Sequence, residues 1–244
     1  MCRALLYLGQ PVLLDNLLYQ PDSALIRQSY MPKMLHMLNL AGFGLRAWDP
    51  ASPDPERAYA YYSQSLPVFD RNLQNLAQKI RPSCVLAHVR GVAYSSRVEI
   101  SLQNVHPFHF ANVPLVMAHN GDLARFAEMK PLLLPHIKPE FAAQVHGTTD
   151  SEWIFALFLS QLKEIKGTYG EDEIFAAFSA TLDRDYALHD GEWKMTGGAE
   201  NADSIIIASE PLTRDTAAWV ELPEYGALFA EIRGGRPHVA VRLL

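Results

Sequence analysis

Cysteine is scarce in this sequence: two residues in 244, Cys2 and Cys84. Two thiols cannot build a disulfide framework, so the expected compartment is a reducing cytoplasm. No apolar run approaches the ~20 residues that span a bilayer, and no membrane partner is expected. A signal peptide is not expected either, because Asp15 and Asn16 interrupt the first apolar stretch and no small-residue cleavage site follows. Excess positive charge is also missing. Lys and Arg number 21 against 27 Asp and Glu, a net charge of −6, which argues against a chain built for nucleic-acid phosphates. No internal repeat, low-complexity tract or composition shift divides the chain, so residues 2–244 are expected to form one domain. The 49% hydrophobic content excludes disorder and is ample for a continuous core.

Metal-ligand spacing is absent too. Neither H-E-x-x-H nor a paired C-x-x-C pattern occurs, although His106 and His109 lie three apart, so no metal or cofactor is expected. His106 and His119 read instead as hydrogen-bonding partners that order the turns at Asn104 and Asn120. Cys84, inside an apolar run, reads as a small core side chain.

What is present is an alternation of strand and helix signals. Cys2–Leu8 is a strand candidate that starts at the cysteine itself. Asp22 and Ser23 offer N-cap chemistry before a short segment closed by Pro32. Gly42–Trp48 reads as a strand with close backbone approach at its glycines, and Ala58–Gln64 as a returning strand. Asp70 caps a helix whose Leu73, Leu76, Ala77 and Ile80 share one face. Cys84–Val89 and Pro114–Ala118 are further strand candidates. Helical material follows from Asp122, punctuated by Pro131, Pro135 and Pro139. Thr148 or Thr149 can cap a helix from Asp150 to about Lys166, and Glu171–Leu182 is another helix. Ser204–Ala208, Ala227–Ile232 and His238–Leu243 return to strands. Strands at both ends with helices between predict an α+β layered domain.

Cys2 follows Met1 directly, and its small side chain permits removal of Met1. The mature chain then begins with a thiol and a free α-amine on one residue, a nucleophile beside a base whose ordinary pKa is about 7.7–8.0. Acyl transfer also needs donors for a developing oxyanion, which Asn120 (side-chain amide) and Gly121 (backbone N–H) could supply from a turn after an apolar strand. Arg90, at the end of a strand, could hold a carboxylate in a bidentate contact. Asp150, at a helix start, could hold an ammonium; a first-turn acid favoured by the helix dipole is the alternative.

Met1-Cys2-Arg3, His88-Val89-Arg90, Asn104-Val105-His106-Pro107-Phe108, Ala118-His119-Asn120-Gly121 and Gly147-Thr148-Thr149-Asp150-Ser151-Glu152 occur in the order seen in class II glutamine amidotransferase domains. The chain resembles that family from residue 2 to about 212, and Ser209-Glu210-Pro211-Leu212 resembles its single-domain branch. That branch includes amidohydrolases of ergothioneine biosynthesis and glutathione breakdown. The resemblance implies a four-layer αββα sandwich of the N-terminal nucleophile hydrolase type. It implies Cys2 as nucleophile with its own α-amine as base, Asn120 and Gly121 as the oxyanion hole, and Arg90 and Asp150 as holders of a glutamine head group. The implied reaction is hydrolysis of the glutamine side-chain amide through a γ-glutamyl thioester, with a possible separate ammonia-accepting protein as partner. Hydrolysis of another γ-glutamyl amide or peptide is the alternative, and a non-catalytic binding subunit retaining the fold is a third reading.

The chain departs from the family in two places. Gly91-Val92-Ala93 follows Arg90 where a hydroxyl-bearing stretch is usual, leaving Ser95 or Ser96 to substitute. Ala41 stands where an aspartate is expected in Asn39-Leu40-Ala41-Gly42-Phe43-Gly44. Both changes bear on the substrate more than on the reaction class.

Overall fold

A computed structural model describes residues 2–33, 38–92, 99–182, 193–195, 203–214 and 219–243. Its strands are β1 (Arg3–Gly9), β2 (Phe43–Trp48), β3 (Tyr59–Ser63), β4 (Cys84–Val89), β5 (Trp193–Met195), β6 (Ser204–Ala208), β7 (Trp219–Glu221), β8 (Gly226–Arg233) and β9 (Arg236–Leu243). Helices are α1 (Asp15–Leu18), α2 (Leu25–Gln28), α3 (Arg71–Ala77), α4 (Phe126–Leu133), α5 (Pro139–Ala142), α6 (Asp150–Gln161) and α7 (Glu171–Leu182). The fold is α+β. Seven strands form one antiparallel sheet in the order β3-β2-β4-β1-β6-β5-β7, and β8 pairs with β9 in a separate hairpin.

Strand alternation sorts the large sheet into two faces. Leu5 and Tyr7 of β1, Phe43, Leu45 and Ala47 of β2, and Val85, Ala87 and Val89 of β4 are buried together. They pack against Leu14, Leu17 and Leu18 of the α1 region, Leu25 and Ile26 of α2, and Leu73 and Ala77 of α3. The alternate residues, among them Ala4, Gly44 and His88, look the other way. A second core joins Phe108, Phe110 and Val113 to residues of α4–α7, including Leu133, Phe141, Phe155 and Ala177. One face of the sheet is therefore committed to packing, which leaves the other for chemistry.

Gly42, just before β2, and Gly44 within it allow close packing on that second face. A Cβ at Gly44 would fall 2.1 Å from the His106 carbonyl oxygen, and one at Gly42 would fall 2.7 Å from Val105 Cγ2. Gly42 also takes φ +125°, a conformation that L side chains rarely adopt. The Val105–His106 segment thus lies directly on the strand. Asp70 caps α3 as its position predicts, its Oδ1 accepting from the backbone N–H of Asn72 and Leu73 at 3.1 Å each.

Several local expectations are corrected. Ser23 does not cap α2; the N-cap is Ala24, and Ser23 Oγ donates to Glu210 instead. Pro114–Ala118 forms a single bridge between Phe108 and Met117 rather than a strand. Prolines at 107 and 114 remove the donors a longer ladder would need. The helix from Asp150 stops at Gln161, short of Lys166, and Thr149 occupies its N-cap position without a side-chain bond.

Candidate active site

Cys2 stands just before β1, opposite Arg90, because the β1–β4 register pairs Arg3 with Val89. Its sulfur lies 3.3 Å from the Gly91 backbone nitrogen and 3.5 Å from the Gly91 carbonyl oxygen. Burial pushes the thiol above its ordinary pKa, while the Gly91 N–H and the Arg90 charge pull it back. A thiol in this position stays protonated at neutral pH, so its chemistry needs a base.

The backbone of Cys2 is anchored from inside the core. Arg3 Nη1 donates to the Cys2 carbonyl oxygen at 3.0 Å, and Arg3 Nε lies 3.7 Å from the Glu210 carboxylate, both side chains being buried. Glu210 also accepts from Ser23 Oγ and from the Lys33 backbone N–H. A guanidinium on the apolar face of β1 is tolerable only because a carboxylate meets it there.

Asn120 reaches the same region from the turn after Met117. Its Oδ1 lies 3.0 Å from His88 Nε2 and its Nδ2 lies 2.6 Å from Ser209 Oγ. An amide oxygen can only accept, so the His88 proton sits on Nε2 and donates. Burial drives the His88 pKa down to about 3, which keeps the ring neutral. The Gly121 N–H makes no hydrogen bond to any described residue. A Cβ at Gly121 would fall 2.6 Å from His119 Nε2, so a larger residue there would have to displace the His119 ring.

Arg90 is buried, donates Nη1 to the Glu99 carbonyl at 3.0 Å, and has no carboxylate within ion-pair distance among the described residues. Burial lowers its pKa, offset by attraction to Cys2, Asp150 and Glu99, neither carboxylate lying within ion-pair distance. The same Glu99 carbonyl accepts from Asn104 Nδ2 at 3.1 Å. Asn104 then grips the α6 approach: its Oδ1 accepts from Thr148 N at 2.8 Å and its Nδ2 donates to Thr148 Oγ1 at 2.9 Å. Glu152 turns back to accept from the N–H groups of His146 and Gly147 at 3.1 and 2.6 Å. A Cβ at Gly147 would fall 2.4 Å from Asn104 Oδ1, so this knot requires glycine. It delivers Asp150, buried, whose Oδ2 accepts from Leu123 N at 2.6 Å and Oδ1 from Ser151 N at 2.7 Å.

The fold thus gathers around the open end of β1 the residues singled out by sequence: Cys2, Arg90, Asn120, Gly121 and Asp150. It reassigns the histidines. His88, not His119, holds Asn120, while His119 Nδ1 pairs with Ser151 Oγ at 3.0 Å. The His106 ring does not order the Asn104 turn: both its nitrogens are buried without a hydrogen-bond partner among the described residues, and the ring packs at a tilt between His88 and Phe108. Sequence reading passed over His88, Ser209, Arg3 and Glu210 as individual side chains, although each sits inside a quoted motif. Ser95 and Ser96 lie outside the described residues. Among the described residues, no group of three or more His, Cys, Asp or Glu could hold a metal ion, and no helix is long and apolar enough to cross a membrane.

A family model described as glutamine amidotransferases class-II matches residues 40–195. The probable glutamine amidotransferase DUG3 of Saccharomyces cerevisiae is 28% identical, the match covering 91% of this chain and 80% of the yeast protein. The gamma-glutamyl-hercynylcysteine sulfoxide hydrolase of Mycobacterium tuberculosis is 27% identical, covering 92% of this chain and 90% of that protein. Among solved structures, a glutamine aminotransferase class-II domain protein from Silicibacter pomeroyi superposes with a TM-score of 0.62 at 17% identity, covering 100% of both chains.

Proposed function

The chain belongs to the class II glutamine amidotransferases, and on that footing we propose that it is an N-terminal cysteine amidohydrolase. Its substrate in this reading is glutamine, cleaved at the side-chain amide to glutamate and ammonia. The observation that carries it is Arg90, a buried guanidinium without an acidic partner among the described residues, set beside the Cys2 thiol and within electrostatic reach of Asp150. A buried cation lacking a counter-ion is costly unless a ligand carboxylate completes it.

In the proposed reaction Met1 is removed, and the Cys2 α-amine takes the thiol proton as the sulfur bonds to the amide carbon. The Asn120 Nδ2–H and the Gly121 N–H stabilise the oxyanion. Collapse breaks the carbon–nitrogen bond, the α-ammonium returns its proton to departing ammonia, and water hydrolyses the γ-glutamyl thioester. Arg90 holds the substrate α-carboxylate and Asp150 its α-ammonium. We place these residues in one domain, 2–244, with the four-layer αββα arrangement that the family implies, working in the cytoplasm without a cofactor. A separate protein is the expected acceptor where ammonia is used further.

A second reading rests on the mycobacterial relative, named as the hydrolase of a γ-glutamyl compound and matched over 90% of its length. Hydrolysis of another γ-glutamyl amide or peptide uses the same head-group contacts and differs only in the leaving amine. The test is a screen of glutamine against γ-glutamyl peptides and amides, with ammonia and glutamate both measured. A diazo-ketone analogue of glutamine is expected to label Cys2 in protein whose intact mass lacks Met1. Active protein that retains Met1 overturns the α-amine mechanism, and full turnover by Cys2→Ala overturns the nucleophile. No turnover of any substrate favours a binding subunit.

A further inference from the structure

We infer that His88 and Ser209 are positioning residues that jointly lock the Asn120 amide, so that one fixed N–H is left for the oxyanion; the inference rests on the oxyanion role proposed above for Asn120. The geometry is set by one rung of the sheet. Ala4 pairs with His88 across the β1–β4 ladder, and on its other side Leu5 pairs with Ala208, which brings Ser209 beside Ala4. Ser209 is fastened there twice. Its backbone N–H donates to the Ala4 carbonyl at 3.1 Å, and its Oγ accepts from the Ala4 N–H at 2.8 Å.

From opposite sides of Ala4, the two side chains then grip one amide. His88 Nε2–H donates to Asn120 Oδ1 at 3.0 Å, and Asn120 Nδ2 donates one proton to Ser209 Oγ at 2.6 Å. An amide with its oxygen and one hydrogen both held cannot flip, and its second N–H points in a fixed direction. A donor already aimed at the developing charge needs no reorganisation at the moment of reaction, which is the source of oxyanion-hole stabilisation. Neither His88 nor Ser209 needs to touch the substrate for this. Ala4 lies between them with a side chain small enough to leave the amide room above it.

The test is a set of steady-state measurements with glutamine, or with the γ-glutamyl amide that turns over fastest. Asn120→Ala is expected to lower kcat by about 10²–10³-fold. Ser209→Ala and His88→Gln are each expected to lower kcat by about 5–30-fold, a fraction of that loss, with KM within about twofold of the parent. Ser209→Thr, which keeps the hydroxyl, is expected to recover most of the rate. In the Asn120→Ala background, Ser209→Ala is expected to cost less than about twofold, because the group it orients is gone. Ser209→Ala also removes the acceptor of the Ala4 N–H, so its melting temperature is expected to fall. Alkylation of Cys2 by iodoacetamide, measured with kcat well below that temperature, should stay at the parental rate, separating positioning from unfolding. If Asn120→Ala is impaired while Ser209→Ala keeps full kcat, or if the Ser209→Ala loss multiplies unchanged onto Asn120→Ala, the lock is overturned and the oxyanion assignment survives. Undiminished kcat in Asn120→Ala overturns that assignment, and the lock falls with it.

Discussion

Arg90 concentrates the chemistry of the site in one side chain. Its Nη1 donates to the Glu99 carbonyl, and in the proposed reading the rest of the planar fork, which makes no other hydrogen bond to a described residue, takes the ligand. Lysine at this position would keep the charge and lose the fork. Arg90→Lys is therefore expected to raise KM for glutamine at least tenfold, roughly the 1.4 kcal/mol or more carried by a charge-assisted pair, with a much smaller change in kcat. An unchanged KM in steady-state assays would mean that the true substrate carries no free α-carboxylate there. The types and order of the five candidate site residues were legible in the sequence. Their hydrogen-bond partners were not, because Asp150 is satisfied by Leu123 and Asn120 by His88 and Ser209 across breaks in the chain that no local period encodes.

Among the elements, β2 shows how a strand can be shaped by what must lie on it. Alternation of Phe43, Leu45 and Ala47 toward the core was readable from the apolar pattern, and so was the close approach at the two glycines. What approaches them, the Val105–His106 segment, was not. Gly44→Ala places a methyl 2.1 Å from a backbone oxygen that cannot swing away as a side-chain tip could. We expect it to destabilise the protein by about 1–3 kcal/mol or more in urea denaturation, and to reduce turnover by disturbing the His106 ring against His88. A parental unfolding midpoint would show that the segment can lift without cost. The expectations that failed lie in stretches whose signals were purely local. Ser23 has the chemistry of an N-cap, yet a buried carboxylate far along the chain claims its hydroxyl. The segment after Pro114 is apolar enough for a strand, yet two prolines leave it a single bridge.

Across the described residues, three imidazoles, His88 and His106 buried and His119 half-buried, set the response to acid. Burial lowers the pKa of His88 to about 3, drives that of His106 well below its ordinary value, and lowers that of His119 against the pull of Asp150. The unfolded chain binds these protons near pH 6.5, and the folded chain refuses them. Their contribution to stability is fully present above about pH 6.5 and is lost as the pH falls toward the folded values. The melting temperature is thus expected to fall between pH 7 and pH 5.5, with up to about three protons taken up on unfolding. Asp122 and Glu152, whose carboxyls burial pushes up, act with the opposite sign at lower pH, which is why the upper window is the informative one. A melting temperature that is flat or rising on acidification across that window would contradict it.

The sequence alone determined the α+β class, the family and the set of candidate site residues, because strand alternation, N-cap chemistry and the order of short motifs are all written in neighbouring residues. Only the tertiary structure decided who holds whom. Ser209 meets Ala4 over a separation of 205 residues and Asn120 over 89, and Arg3 meets Glu210 inside the core. Those contacts follow from which strand lies beside which and in what register. Register is chosen by the burial of a whole sheet face, a property of the assembled fold and of no single segment.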